Sequence, residues 1–167
     1  LGYDRGPARP DHLRYGTRNY IAVISTVNCS AATSKYVAEK VRASGILDRY
    51  PNVDGIVPII HKQGCAMAYD GTDHKQLDRT LAGFARHPNV GAYILIGLGC
   101  ETGQAMHLVE GEHLELITLG GAKKKPLVLS IQECGGIGKT VEAGVKAVAD
   151  LLPVVSEFRR VELPAKH

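Results

Sequence analysis

The chain has 167 residues, 44% hydrophobic and 22% charged, with 19 glycines, four cysteines, no tryptophan and a net charge of +3. This length fits one domain with its own core, the composition is not that of a disordered chain, and the scattered lysines and arginines form no stripe that could track phosphates. Its apolar runs reach about seven or eight residues, short of the roughly 20 that a membrane span needs, so the expectation is a soluble, cytoplasmic protein with neither nucleic-acid nor membrane partners.

Residues 1–18, rich in Gly, Pro, Arg and Tyr without a period, read as an irregular lead-in. Residues 20–27 (YIAVISTV) are nearly continuous and β-branched, as in a strand buried on both faces of a parallel sheet. Asn28 to Ser30 is the turn after it, and Ser30 is a suitable N-cap for a helix with Val37 and Val41 on one face, ending near Gly45. A second strand spans 53–60, where Pro58 removes a ladder donor and argues for an edge position. A long loop, 61–71, precedes a helix over 72–87 with Leu77, Leu81 and Phe84 on its inner side. The third strand is 91–98, followed by a short helix through Met106, Leu108 and Val109. Strands over 114–119 and 127–131 follow, then a last helix, 140–152. Alternating strands and helices argue for a three-layer α/β fold, a mainly parallel, Rossmann-like sheet with helices on both faces. Its single domain is expected over 19–160, with 161–167 as the start of a linker to a C-terminal region not present in this chain.

Each cysteine falls just past an apolar run: Cys29, Cys65, Cys100 and Cys134. Parallel strands would gather them at one sheet edge, where open α/β sheets place ligands. Free N–H groups and helix dipoles at such turns favour thiolates. Three thiolates with one open coordination position suit iron, zinc or a [4Fe–4S] cluster. His61 is a candidate metal ligand or general base and Glu101 a candidate acid/base. His74, His87, His107 and His113 are expected in solvent. The segment GGIGKT lacks the leading glycine of a phosphate loop, since Glu133 stands there, and GLGCE is followed by Thr102 where a nucleophile elbow needs glycine. A cysteine hydrolase pairing Cys100 with His61 is the weaker catalytic alternative.

The segments YGTRNYIAVISTVNCSA, YPNVDGIVPIIHKQGCAMAYD, HPNVGAYILIGLGCET and SIQECGG resemble the core of the altronate and galactarate dehydratases. The resemblance implies a hydro-lyase dependent on Fe²⁺, another divalent metal or an iron–sulfur cluster, which turns a sugar acid into a 2-keto-3-deoxy acid. It points to Cys29, Cys65 and Cys100 as metal ligands and to His61 and Glu101 as catalytic groups. Arg18, Asn28, Gln104 and Gln132 would contact substrate. Asn19, Gly64, Gly135 and Gly136 also match, Cys134 is left without a role, and Ala66 stands where the family usually has glycine. Implied partners are a sugar acid, a small β-rich domain or subunit, a C-terminal Gly-rich region, and a second copy of the chain in a homo-oligomer. A related sulfo-lyase activity on sulfolactate and a non-catalytic scaffold role are the alternatives.

Overall fold

The computed structural model describes residues 1–9, 12–101, 105–117 and 123–162. In chain order, β1 (Gly2–Arg9) and β2 (His12–Gly16) form an antiparallel hairpin. Next come β3 (Tyr20–Ser25), α1 (Ala31–Ala43), β4 (Gly55–Ile59), α2 (Thr72–Ala85), β5 (Val90–Gly97) and α3 (Ala105–Gly111). Two short strands, β6 (Leu116–Ile117) and β7 (Lys123–Lys124), pair with each other, and β8 (Leu127–Ser130), α4 (Ile137–Ser156) and β9 (Arg160–Val161) complete the order.

The core sheet is four parallel strands in the order β4-β3-β5-β8. Its inner strands are buried on both faces, which is why their sequences are continuously apolar rather than alternating. On one face Ile21, Val23, Ile94 and Ile96 pack with Val37 and Val41 of α1 and Val148 and Leu152 of α4. On the other, Ala22, Ile24, Tyr93 and Leu95 pack with Leu81 and Ala82 of α2 and Leu108 and Val109 of α3. Pro58 lies on β4, the edge strand, where a missing N–H costs no ladder bond on the outer side. α1 and α4 touch closely at Gly144, where a Cβ would run into the Val37 side chain.

Several expectations need correction. The lead-in is not irregular: β1 and β2 lie within it, and β9 returns to pair Val161 with Gly2 and Arg160 with Tyr3, so both flanks of the expected domain join one antiparallel sheet, β2-β1-β9. The run 114–119 adds no strand to the parallel sheet among the described residues; Leu114 is a core plug, and Leu116 and Ile117 pair with β7 instead. α4 outlasts its expected end at 152 because Val155 and the following Phe158 are buried. Phe84 is largely exposed, whereas His74, expected in solvent, is buried and paired with Asp78 at 3.3 Å.

At the amino edge of the sheet, Asn19 locks the two sheets and α4 together. Its side chain is fully buried. The amide nitrogen donates to the carbonyls of Asn52 (2.6 Å) and Val155 (2.9 Å), and the amide oxygen accepts from the Arg5 guanidinium at 2.6 Å. Its backbone N–H donates to Asp54 at 2.6 Å. Truncation would strand two buried carbonyls and a cation, and such losses are among the few that exceed a typical substitution. Asn19→Ala should lower unfolding free energy by about 3 kcal/mol, read as a lower urea midpoint at unchanged slope.

Candidate functional site

Because the four strands run the same way, the turns after β3, β4, β5 and β8 open at one edge, the one that carries Cys29, Cys65, Cys100 and Cys134. All four are free thiols; Cys29, Cys65 and Cys100 are exposed, and Cys134 is half-buried.

The turn after β3 is built to present Cys29. Ser30, at the N-cap of α1, does not cap: its buried hydroxyl donates to the carbonyls of Val27 (2.9 Å) and Ile96 (2.6 Å), clamping this turn to the end of β5. Cys29 sits in the single 3-10 turn Asn28–Ser30 with Sγ 3.4 Å from Asn28 Oδ1. The Asn28 N–H donates to the Gln63 carbonyl at 2.8 Å, which brings the loop after β4 alongside. Gly64, at φ +100°, lies so close to Thr26 and Val27 that a Cβ would crowd their backbone.

These contacts make the cysteines neighbours. The Cys29 thiol is pushed above its ordinary pKa by local desolvation first, then by the Cys65 thiol, which also hydrogen-bonds it, and by Cys100. This reverses the depression expected from the turn alone, because desolvation, ahead of the neighbouring thiols, disfavours the charged form. Among the described residues no three His, Cys, Asp or Glu side chains have the spacing of a formed metal site. The thiols therefore form an open set of soft donors.

His61 and Glu101 are placed at this edge but are tied to backbone. The Gln63 N–H donates to His61 Nδ1 at 3.1 Å, so Nε2 carries the proton and donates to the Ser25 carbonyl at 2.9 Å. Both ring nitrogens are thus engaged, and burial holds the imidazole below its ordinary pKa, against the opposing pull of the Ser25 carbonyl. Glu101, 9% exposed, accepts from the Leu98 N–H (3.1 Å), the Gly99 N–H (2.5 Å) and the Thr26 hydroxyl (3.2 Å). Gly97 leaves room for that carboxylate, since a Cβ there would strike Glu101 Oε1. Both residues act as braces for the thiol-bearing turns.

Gln132 is exposed and packs over Gly99, with its backbone N–H on the Leu98 carbonyl at 3.0 Å, so it borders the Cys100 turn. A cavity of about 80 Å³ lies beside it, lined by Gly97, Gly99, Glu101 and Ser130 among others. Asn28 and Gln132 therefore stand with the thiols. Arg18 does not: it precedes β3 at the amino edge, about 20 Å of strand from Cys29, and pairs with Asp54 at 3.8 Å. Gln104 lies outside the described residues. Sequence reasoning missed Thr26 and Ser30, the hydroxyls that fix the turns, and Lys139, whose ammonium folds over Gly135 at the start of α4. The lysine could have been found as the one cation two residues inside that helix.

Ala66 adopts φ +57°, the left-handed conformation that glycine enters freely. This position keeps a glycine backbone with an alanine side chain. Ala66→Gly should raise stability by about 0.5–1 kcal/mol in urea unfolding. His61 gives a second test. With its folded pKa below the unfolded value, the unfolded chain takes up the proton first as pH falls, so stability is full above about pH 6.5 and declines below it. His61→Gln should flatten the fall in melting temperature between neutral and mildly acidic pH.

A family model described as "D-galactarate dehydratase/Altronate hydrolase, second domain" matches residues 2–156. The altronate dehydratase of Bacillus subtilis (strain 168) is 27% identical over 150 residues, covering 89% of this chain and 27% of the relative. The altronate dehydratase of Escherichia coli (strain K12) is 28% identical over 145 residues, 87% of this chain and 27% of the relative. The chain thus spans about a quarter of the length of these curated relatives. No solved structure matches it.

Proposed function

This chain belongs to the D-galactarate dehydratase/altronate hydrolase family, as its second domain, and we propose that it supplies the thiol-lined edge at which a sugar acid loses water to give a 2-keto-3-deoxy acid. The observation that carries this reading is the convergence of Cys29, Cys65 and Cys100, from three sequence-distant turns, at the carboxyl edge of a parallel sheet. A doubly wound, three-layer reading of the fold would suit it, and is supported by the packing of α1 and α4 with one set of sheet residues and of α2 and α3 with the other.

Elimination beside a carboxylate has two demands: the enediolate formed by proton loss must be stabilised, and hydroxide must leave as a neutral or bound species. A divalent metal such as Fe²⁺ supplies both when bound, as a Lewis acid. Cys29, Cys65 and Cys100 are the residues that would hold it, since soft thiolates suit iron. Asn28 and Gln132 offer amides to the substrate hydroxyls, and Lys139 offers the cation for its carboxylate in the place that Arg18 cannot take. His61 and Glu101 are positioning residues, which keep the turns of Cys65 and Cys100 in register. The β-rich domain, the C-terminal region and a second copy of the chain are partners in this proposal, in keeping with relatives more than three times as long.

Thiolate-to-metal charge-transfer absorption on titrating Co²⁺ into the full protein should appear with the native sequence. Serine at position 29, 65 or 100 should each weaken it by about 10-fold or more, and Cys134→Ser should leave it near native. Keto-acid release from altronate or galactarate should fall in parallel. A protein that dehydrates either acid equally well with all three serines in place would end this proposal.

A further inference from the structure

A second polar cavity, of about 30 Å³, lies at the opposite side of the molecule from the thiols, between the β1–β2 hairpin and β5. Arg5, 5% exposed, is held there between the rings of Tyr3 (5.0 Å) and Phe158 (4.6 Å). Its Nε donates to the Pro88 carbonyl at 3.0 Å, and Nη2 to the Arg18 carbonyl and Asn19 Oδ1, while Nη1 has no partner. Arg14 lines the same cavity. It uses Nη1 on the Arg86 carbonyl (3.0 Å) and Nη2 on the Arg5 carbonyl (3.3 Å), and its Nε is likewise buried and unpartnered.

We propose that Arg5 and Arg14 bind one small monovalent anion, of the halide class, in this cavity. Every hydrogen bond named for the two guanidiniums goes to a neutral carbonyl or amide, so the buried charge of Arg5 and the half-buried charge of Arg14 have no opposing one among these contacts. The nearby carboxylates are committed: Asp54 to Arg18 and Arg160, Glu112 to Arg86, and Glu115, on the cavity wall, to Lys123 at 2.8 Å. A cavity of this size admits one water-sized species. A water would satisfy the two donors, with the Tyr93 oxygen able to accept from it while donating to the Glu115 carbonyl at 3.3 Å, but it would leave both positive charges uncancelled. A halide accepts from both guanidiniums, donates nothing and cancels a charge. It also pins the hairpin to the parallel sheet, a role independent of the reaction proposed above.

Two measurements on the full chain test this. Thermal unfolding in chloride should exceed that in gluconate at matched ionic strength by about 2–4 °C, and Arg14→Gln should abolish the difference. Crystals of the unaltered chain grown in bromide should show anomalous density between Arg5 Nη1 and Arg14 Nε. Equal melting temperatures in the two salts, ordered water with no anomalous signal, or Glu115 turned inward onto Arg14 would each overturn the proposal.

Discussion

The parallel hydrogen-bonded register of β3 between β4 and β5 is the constraint on which the rest of the molecule depends. Ile24 lies opposite Ile59 on one side and Leu95 on the other, so three chain segments leave the sheet at the same level. A one-residue slip would turn every inward side chain to the other face, and the two helical layers could not both be satisfied. Burial on both sides of β3 and β5 thus fixes the register, and the register fixes which turns meet. The meeting of Cys29 with Cys65 is a consequence of Ile21, Val23, Ile94 and Ile96 packing against α1 and α4.

The two edges of this sheet serve opposite purposes. At the amino edge, Asn19, Arg5 and Asp54 spend their hydrogen bonds on closing the structure, tying strands that are distant in sequence to the end of α4. At the carboxyl edge the turns are held from beneath by Ser30, Thr26 and Glu101, and the exposed atoms are thiols and amides. Rigidity below and reactive groups above is the arrangement that a preorganised site requires. The same logic explains the displacement of Arg18, since a residue preceding a strand and one following it cannot share an edge.

Much of this was legible in the sequence, because its signals are local and physical. Continuous apolar runs marked β3, β4, β5 and β8, the helical spacing marked α1, α2 and α4, and Pro58 marked the edge. The shared position of the cysteines after strands put their turns at one edge of the sheet, where Cys65 and Cys100 lie near enough to influence Cys29. What escaped notice depended on partners far along the chain. The hairpin β1–β2 pairs with β9, and Arg5 is covered by Phe158, partners that a reading of residues 1–18 does not contain. His74 lies on a polar stretch of α2 and is buried beside the Tyr69 ring of the preceding loop and Asp78. Arg18 stands at the amino edge, paired with Asp54, a placement that motif matching does not carry.

His61 and Glu101 show why ionisable residues at such turns are ambiguous from sequence. A turn between strand and helix leaves backbone N–H groups without partners, and these must be met by whatever acceptor is nearest. The Glu101 carboxylate meets the Leu98 and Gly99 donors, and His61 Nδ1 meets that of Gln63. Strong acceptors are consumed by the backbone in this way. A thiol is a weak acceptor and a weak donor, so it competes poorly for the same groups and is left facing outward. The thiols are consequently left exposed at this edge, while the Glu101 carboxylate and the His61 imidazole are hydrogen-bonded to the backbone around the turns that carry them.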